Sequence, residues 1–180
     1  MTADIIFETE RLICRLFRDS DREPFARLNG NATVMRYFPS TLTVEQSNSM
    51  VDELGRRQEK NGYTFWATER KEDGAFIGFV GLNKTGDNMP FSPSVEIGWR
   101  LDEPYWGKGY ASEAAKGVLK YAFDKLGVDE VISFTAEINE PSQKVMQRIG
   151  MTHEGEYFDH PALDNGHPLK RHILYRTTQK

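Results

Sequence analysis

The stretch over residues 94–127 constrains the chain more than any other. Val95, Ile97, Trp99 and Leu101 share one face, and Ser94, Glu96, Gly98 and Arg100 the other, which is the period of a strand. A glycine-bearing loop follows over residues 103–111. An amphipathic helix then places Ala111, Ala114, Ala115, Val118, Leu119, Ala122, Phe123 and Leu126 on one stripe, and Gly127 stands where a helix-ending glycine belongs. Gly107 and Gly109 at the helix start let a ligand come close to the backbone, and the free N–H groups and helix dipole there favour a phosphate. A tight strand-to-helix turn without a ligand is the alternative. The pattern is neither GxxxxGK[ST] nor GxGxxG, because Ser112 replaces the third glycine and no acid ends a following strand at the right place.

The flanking chain supplies the remaining elements. Residues 11–17 alternate as a strand. Ser20 and Glu23 have capping-box spacing before a short helix that ends at Asn29-Gly30. Thr43 and Gln46 repeat that spacing before a helix running to about Lys60, with Val44, Ser47, Met50, Val51 and Leu54 on one face. Residues 63–69 and 75–83 read as two strands joined by Glu72-Asp73-Gly74. Residues 130–138 form another strand. Pro141 then opens a helix capped by Asn139 or Glu140 and ended by Gly150. Residues 151–158 and 170–176 read as final strands around Asp164-Asn165-Gly166. This order predicts a mixed α/β fold, a central mixed twisted sheet of about seven strands with helices on both faces, in one domain over residues 1–180.

Composition removes several classes of function. A chain of 180 residues suits one domain, and 38% hydrophobic with 28% charged residues is an ordinary globular balance. The net charge of −4 and the lack of a basic stripe argue against nucleic-acid partners. A lone cysteine, Cys14, excludes an internal disulfide framework and any multi-cysteine zinc site, and suits a buried strand position. His153, His160, His167 and His172 are spaced 7, 7 and 5, so no pair has the helical ligand spacing, and no metal is expected. The apolar run over residues 75–82 is too short for a bilayer, and the acidic start MTADIIFETERL is unlike a signal peptide, so a cytoplasmic protein is expected. A monomer and a homodimer are equally compatible with the sequence.

Two motifs together, EIGWRLDEPYWGKGYASEA and EINEPSQKVMQRIGM, resemble the GNAT superfamily of acyl-CoA-dependent N-acetyltransferases, and within it the RimJ/RimL-type branch, named for acetylation of ribosomal-protein N-termini. The resemblance is close over residues 94–151 and extends to ETERLICRLF. It implies acetyl-CoA as co-substrate and an amine as acceptor: a protein N-terminus, a polyamine, an amino acid or an antibiotic amine. The family's phosphate-loop pattern falls on Trp106, Gly107, Lys108, Gly109, Tyr110 and Ala111, with Trp106 departing from the usual Gln or Arg. By resemblance, the amides of residues 107–111 cradle the pyrophosphate and the backbone of Trp99 to Leu101 pairs with the pantetheine arm. Asn139 and Ser142 match the family's Asn-x-x-Ser/Ala position beside that arm. Their alternative role is helix capping. Lys108 stands either beside a phosphate or in solvent, and Lys144 and Arg148 read as a charged helix face.

Acetyl transfer from a thioester needs positioning, proton removal and oxyanion stabilisation rather than a covalent nucleophile. Glu96 occupies the position of a carboxylate base in many family members, with Gly98 leaving space beside it. A pairing with Arg100 is its alternative. His160 and His172 are further candidates for the base or the acceptor wall. Met146 stands where many members place a tyrosine acid, so Ser142 becomes the candidate to meet the departing thiolate, with Tyr157 a weaker one. Tyr37, Phe38, Phe65, Trp66 and Trp106 either wall an acceptor cleft or fill the core. A catalytically idle acyl-CoA-binding regulator is the competing function.

Overall fold

A computed structural model describes residues 4–179, so Met1 to Ala3 of the stretch read for a leader lie outside the described residues. The chain forms β1 (Ile5–Glu8), β2 (Leu12–Arg15), α1 (Arg22–Asn29), α2 (Val44–Asn61), β3 (Phe65–Arg70), β4 (Phe76–Lys84), β5 (Val95–Leu101), α3 (Tyr110–Asp124), β6 (Glu130–Ala136), α4 (Glu140–Arg148), β7 (Tyr157–Asp159) and β8 (Arg171–Thr178). One eight-stranded sheet runs β1-β2-β3-β4-β5-β6-β8-β7. Every neighbouring pair is antiparallel except β5 and β6.

Helices cover both faces, as the periodicity predicts. Ala114, Ala115, Val118 and Ala122 of α3 pack with Val80, Leu82, Ile97 and Leu101 in the main core. On the opposite face Phe25 and Leu28 of α1 and Val51 of α2 enclose Phe79, with Phe65 and Phe76 beside them. Burying side chains of this size contributes about 1.5–3 kcal/mol each, so the two layers hold the sheet from either side. The expected capping box of α2 is present in both directions, Gln46 N–H to Thr43 Oγ1 at 3.2 Å and Thr43 N–H to Gln46 Oε1 at 2.9 Å. Among the described residues no helix is long and apolar enough to cross a membrane.

Three details correct the sequence reading. The sheet has eight strands, because the unalternating Ile5-Ile6-Phe7 forms β1. Phe7 reaches across to α3, where a Cβ on Gly117 would collide with its ring. The strand expected over residues 151–158 contracts to a single bridge, Thr152 to Arg176, and then β7, with Gly155 at φ 76° turning the chain between them. Ser20 caps nothing. A 3-10 turn, Asp19–Asp21, precedes α1 instead, and the Asp21 carboxylate is drawn inward to Arg15, which it grips through both guanidinium nitrogens at 2.7 and 2.9 Å. Arg15 is only 3% exposed and a buried charge requires a partner, so that pairing outweighs a cap worth about 1 kcal/mol.

The parallel seam shapes the molecule. Seven residue pairs register between β4 and β5 and seven between β6 and β8. Between β5 and β6 only Glu96 and Ile132 do. The two central strands therefore diverge past Glu96 and leave a wedge through the middle of the sheet.

Candidate active site

The wedge opens into a cleft of about 860 Å³, lined by residues from β5, the glycine loop, α4 and the two loop clusters either side. Its wall along β5 is backbone. Asp102 N–H donates to Ile77 O at 2.9 Å. With Leu101 opposite Gly78, the antiparallel alternation turns the amides of Gly98 and Arg100 toward β4 and those of Ile97, Trp99 and Leu101 toward β6. The Ile97 carbonyl accepts from Ser133 Oγ at 2.9 Å, and the Leu101 carbonyl accepts from the Trp106 indole N–H at 2.8 Å. The Trp99 backbone is left facing the cleft where the ladder has ended. A buried strand edge of this kind calls for a partner.

At the far end stands the glycine loop. Gly107 and Gly109 have φ of 70° and 80°, values that L side chains rarely adopt, and Gly109 is the N-cap of α3. A Cβ on Gly107 would meet nothing within 4 Å, so that residue faces open space. Tyr110 and Ala111 begin the helix, and both line the cleft with Gly107 and Gly109. Lys108 is exposed and lies outside the lining, its Nζ 6.0 Å over the Tyr105 ring. Arg11, which the sequence reading did not single out, braces the loop from behind. Its Nη1–H donates to Lys108 O at 2.9 Å, its Nε–H to Glu113 at 2.6 Å, and its guanidinium covers the Tyr110 ring at 4.5 Å. Burial opposes ionisation of Glu113, yet hydrogen bonds from Thr9 and Arg11 outweigh it and hold its pKa below the usual range.

Asn139 and Ser142 meet at the start of α4. Asn139 Oδ1 accepts from Ser142 N–H at 3.3 Å, so the capping role is observed. Asn139 Nδ2 donates to Thr135 Oγ1 at 2.8 Å and to Ser142 Oγ at 3.2 Å. The Ser142 hydroxyl oxygen is thereby an acceptor, and its proton remains available to another group. Both residues line the cleft, as do Lys144 and Arg148. Met146 is buried at 1% exposure. Tyr157 lies outside the lining, with the Arg171 guanidinium 4.6 Å over its ring.

Glu96 sits at the apex of the wedge. Its partner is not Arg100: Asn83, opposite it across β4, donates Nδ2–H at 3.3 Å. Arg57 bonds Asn83 Oδ1 in turn at 3.1 Å. Burial raises the Glu96 carboxyl to about 7, against the downward pull of the Asn83 hydrogen bond and the Arg57 charge. A carboxylate with that affinity for protons can take one from an amine near neutral pH. His160 and His172 stand on the other wall with ring centroids 4.9 Å apart. Burial lowers His172 to about 4, the Lys170 carbonyl opposing and His160 adding to the shift. Of the five aromatic candidates, Tyr37, Phe38, Phe65 and Trp106 line the cleft, while Trp66 is fully buried beneath Phe7 and Tyr121. Burial pushes the Cys14 thiol up to about 12, and the cysteine takes no part in the cleft. Among the described residues no group of three metal-ligating side chains converges.

The splayed parallel seam thus carries a glycine loop at one end and a carboxyl of raised pKa at the other. The chain belongs to the GNAT acetyltransferase family, whose domain matches residues 11–152. It is an acyl-CoA-dependent N-acetyltransferase. It is 31% identical over 171 residues to the uncharacterised N-acetyltransferase YoaA of Bacillus subtilis (strain 168), covering 93% of this chain and 94% of that protein. The crystal structure of a GNAT-family acetyltransferase from Bacillus anthracis superposes with a TM-score of 0.78 at 29% identity, over 97% of this chain and 98% of that one. RimJ of Mycobacterium smegmatis in complex with CoA-disulfide shares the fold, with a TM-score of 0.74 at 20% identity over 93% of this chain and 81% of that one.

Proposed function

We propose that the cleft transfers an acetyl group from acetyl-CoA to a primary amine, a protein N-terminus or a small-molecule amine, by direct attack in a ternary complex. The observation that carries this reading is Glu96, a carboxylate with a pKa near 7 beside the unpaired backbone of Trp99. The residues present fit acetyl-CoA. Residues 107–111 offer amides and positive-φ glycines for the pyrophosphate, and the Trp99 and Leu101 amides offer a strand edge for the pantetheine arm.

Acetyl-CoA supplies an already activated thioester, so the protein's part is to position and to move protons. Glu96 receives the proton lost by the amine, directly or through water. The Trp99 N–H, which faces the cleft side of β5, stabilises the developing oxyanion in this reading. The Ser142 O–H donates a hydrogen bond to the departing thiolate without giving up its proton, in the role that the thioether of Met146, which has no proton, cannot fill. The competing reading, an acyl-CoA-binding regulator without turnover, rests on Trp106 in the glycine loop and on Met146 standing where a tyrosine is usual. Free-thiol release measured over a panel of amines separates them. Acetyl-CoA binding without release for any amine would leave the regulator.

A further inference from the structure

The acceptor half of the cleft holds a cation that the protein does not neutralise. Arg100 projects from the same face of β5 as Glu96, four residues on, so at roughly 3.3 Å per residue their Cα atoms are about 13 Å apart. Gly98 lies between them, and the edge of the Phe65 ring fills the space that its missing side chain leaves, 3.1 Å from where a Cβ would stand. The Arg100 guanidinium is stacked 4.2 Å from the Phe38 ring centroid and 5.2 Å from Phe79. Its Nη1–H donates to Asn29 Oδ1 at 2.7 Å. Its Nε is buried without a hydrogen-bond partner, and among the described residues no carboxylate pairs with it. Burial lowers its pKa to about 10, so it stays charged at neutral pH.

A partly buried cation with an unpartnered N–H and no counter-ion is costly, and a ligand that brings the anion recovers that cost. From this geometry we infer that the acceptor is a small amine that also carries a carboxylate, with its nitrogen at Glu96 and its carboxylate at the Nε and Nη2 side of Arg100. This deepens the proposed function and rests on it. The guanidinium fork suits a carboxylate, and the neighbouring rings of Phe38 and Phe79 keep the site dry enough for the pair to count. A polyamine fits poorly, because its second ammonium group would meet Arg100 rather than an acid.

The test is a set of matched acceptors: free amino acids, ω-amino acids of increasing length, their carboxamides, the decarboxylated amines, and spermidine. Thiol release is read with each. The carboxylated member of each set should exceed its carboxamide at least tenfold in kcat/KM, chiefly through KM, and spermidine should be the poorest. In Arg100→Gln that preference should fall below twofold with the KM for acetyl-CoA unchanged. Carboxylate and carboxamide of equal kcat/KM in the unaltered protein would overturn the inference while leaving acetyl transfer standing, and this comparison requires no folded variant. A preference that survives in Arg100→Gln would also overturn it. No release with any amine would remove the acetyl-transfer reading and the inference together.

Discussion

Glu96 concentrates the residue-scale consequences. Its folded pKa of about 7 lies above the 4.5 of an unburied glutamate. The folded state therefore holds the proton more tightly, and the stability associated with it is present below pH 4.5 and lost as pH rises through 7. The shift of 7 − 4.5 = 2.5 bounds that loss at about 3 kcal/mol. Glu96→Gln should accordingly match the natural protein near pH 4.5 and exceed it by about 2 kcal/mol at pH 8, read from urea midpoints. A difference that does not vary with pH would refute the buried-carboxylate account. In kinetics the same variant should lose the limb of kcat/KM that titrates near 7. For an α-amine with pKa near 8 the expected loss is about tenfold, because deprotonation at pH 7 costs only about 1.4 kcal/mol. A lysine-like amine would face about 4.6 kcal/mol and a loss beyond a thousandfold. Ser142→Ala should lower kcat and spare acetyl-CoA affinity. A kcat within twofold would reduce Ser142 to its observed capping contact with Asn139.

The decisive element is α3 with its glycine loop. Gly109 combines a φ of 80° with close approach to Arg11, whose Nη2 would lie 3.4 Å from an added Cβ. Gly109→Asp would strain the backbone, crowd the Arg11 brace and set a negative charge where the pyrophosphate is proposed to sit. At least a tenfold loss of CoA affinity by calorimetry is expected, about 1.4 kcal/mol. Unchanged affinity in a folded variant would move the phosphate site elsewhere. This loop was legible in the sequence because glycines at a helix start and the alternation before them are local signals. Arg11 was not legible there, since its contact with Lys108 spans 97 residues.

Across the whole molecule, the cleft is bounded by both halves of a sheet whose central strands register at one pair, Glu96 and Ile132. A ligand that spans the wedge should tie those halves. CoA at about 100 times its Kd contributes about 2.7 kcal/mol. For a chain of 180 residues that corresponds to a rise in Tm of roughly 5–10 °C. Gly109→Asp should shrink the rise at the same CoA concentration. An absent rise in the natural protein at millimolar CoA would mean that CoA does not bind the folded protein.

The amino-acid sequence by itself determined what short-range physics controls. Periodicity set the two faces of β5 and the apolar stripe of α3, the Thr43 and Gln46 spacing set the cap of α2, and glycines set the turn before α3. Tertiary structure decided the rest. It drew Asp21 to Arg15 instead of leaving Ser20 as a cap, and it recruited Ile5 to Glu8 as an eighth strand against α3. It also gave Glu96 its partner in Asn83 and left Arg100 without an acid. The reason is physical. A dihedral preference or a hydrophobic period is carried by neighbours in sequence, whereas the proton affinity of a carboxyl and the pairing of a charge depend on which distant groups fold around them and how much water they exclude.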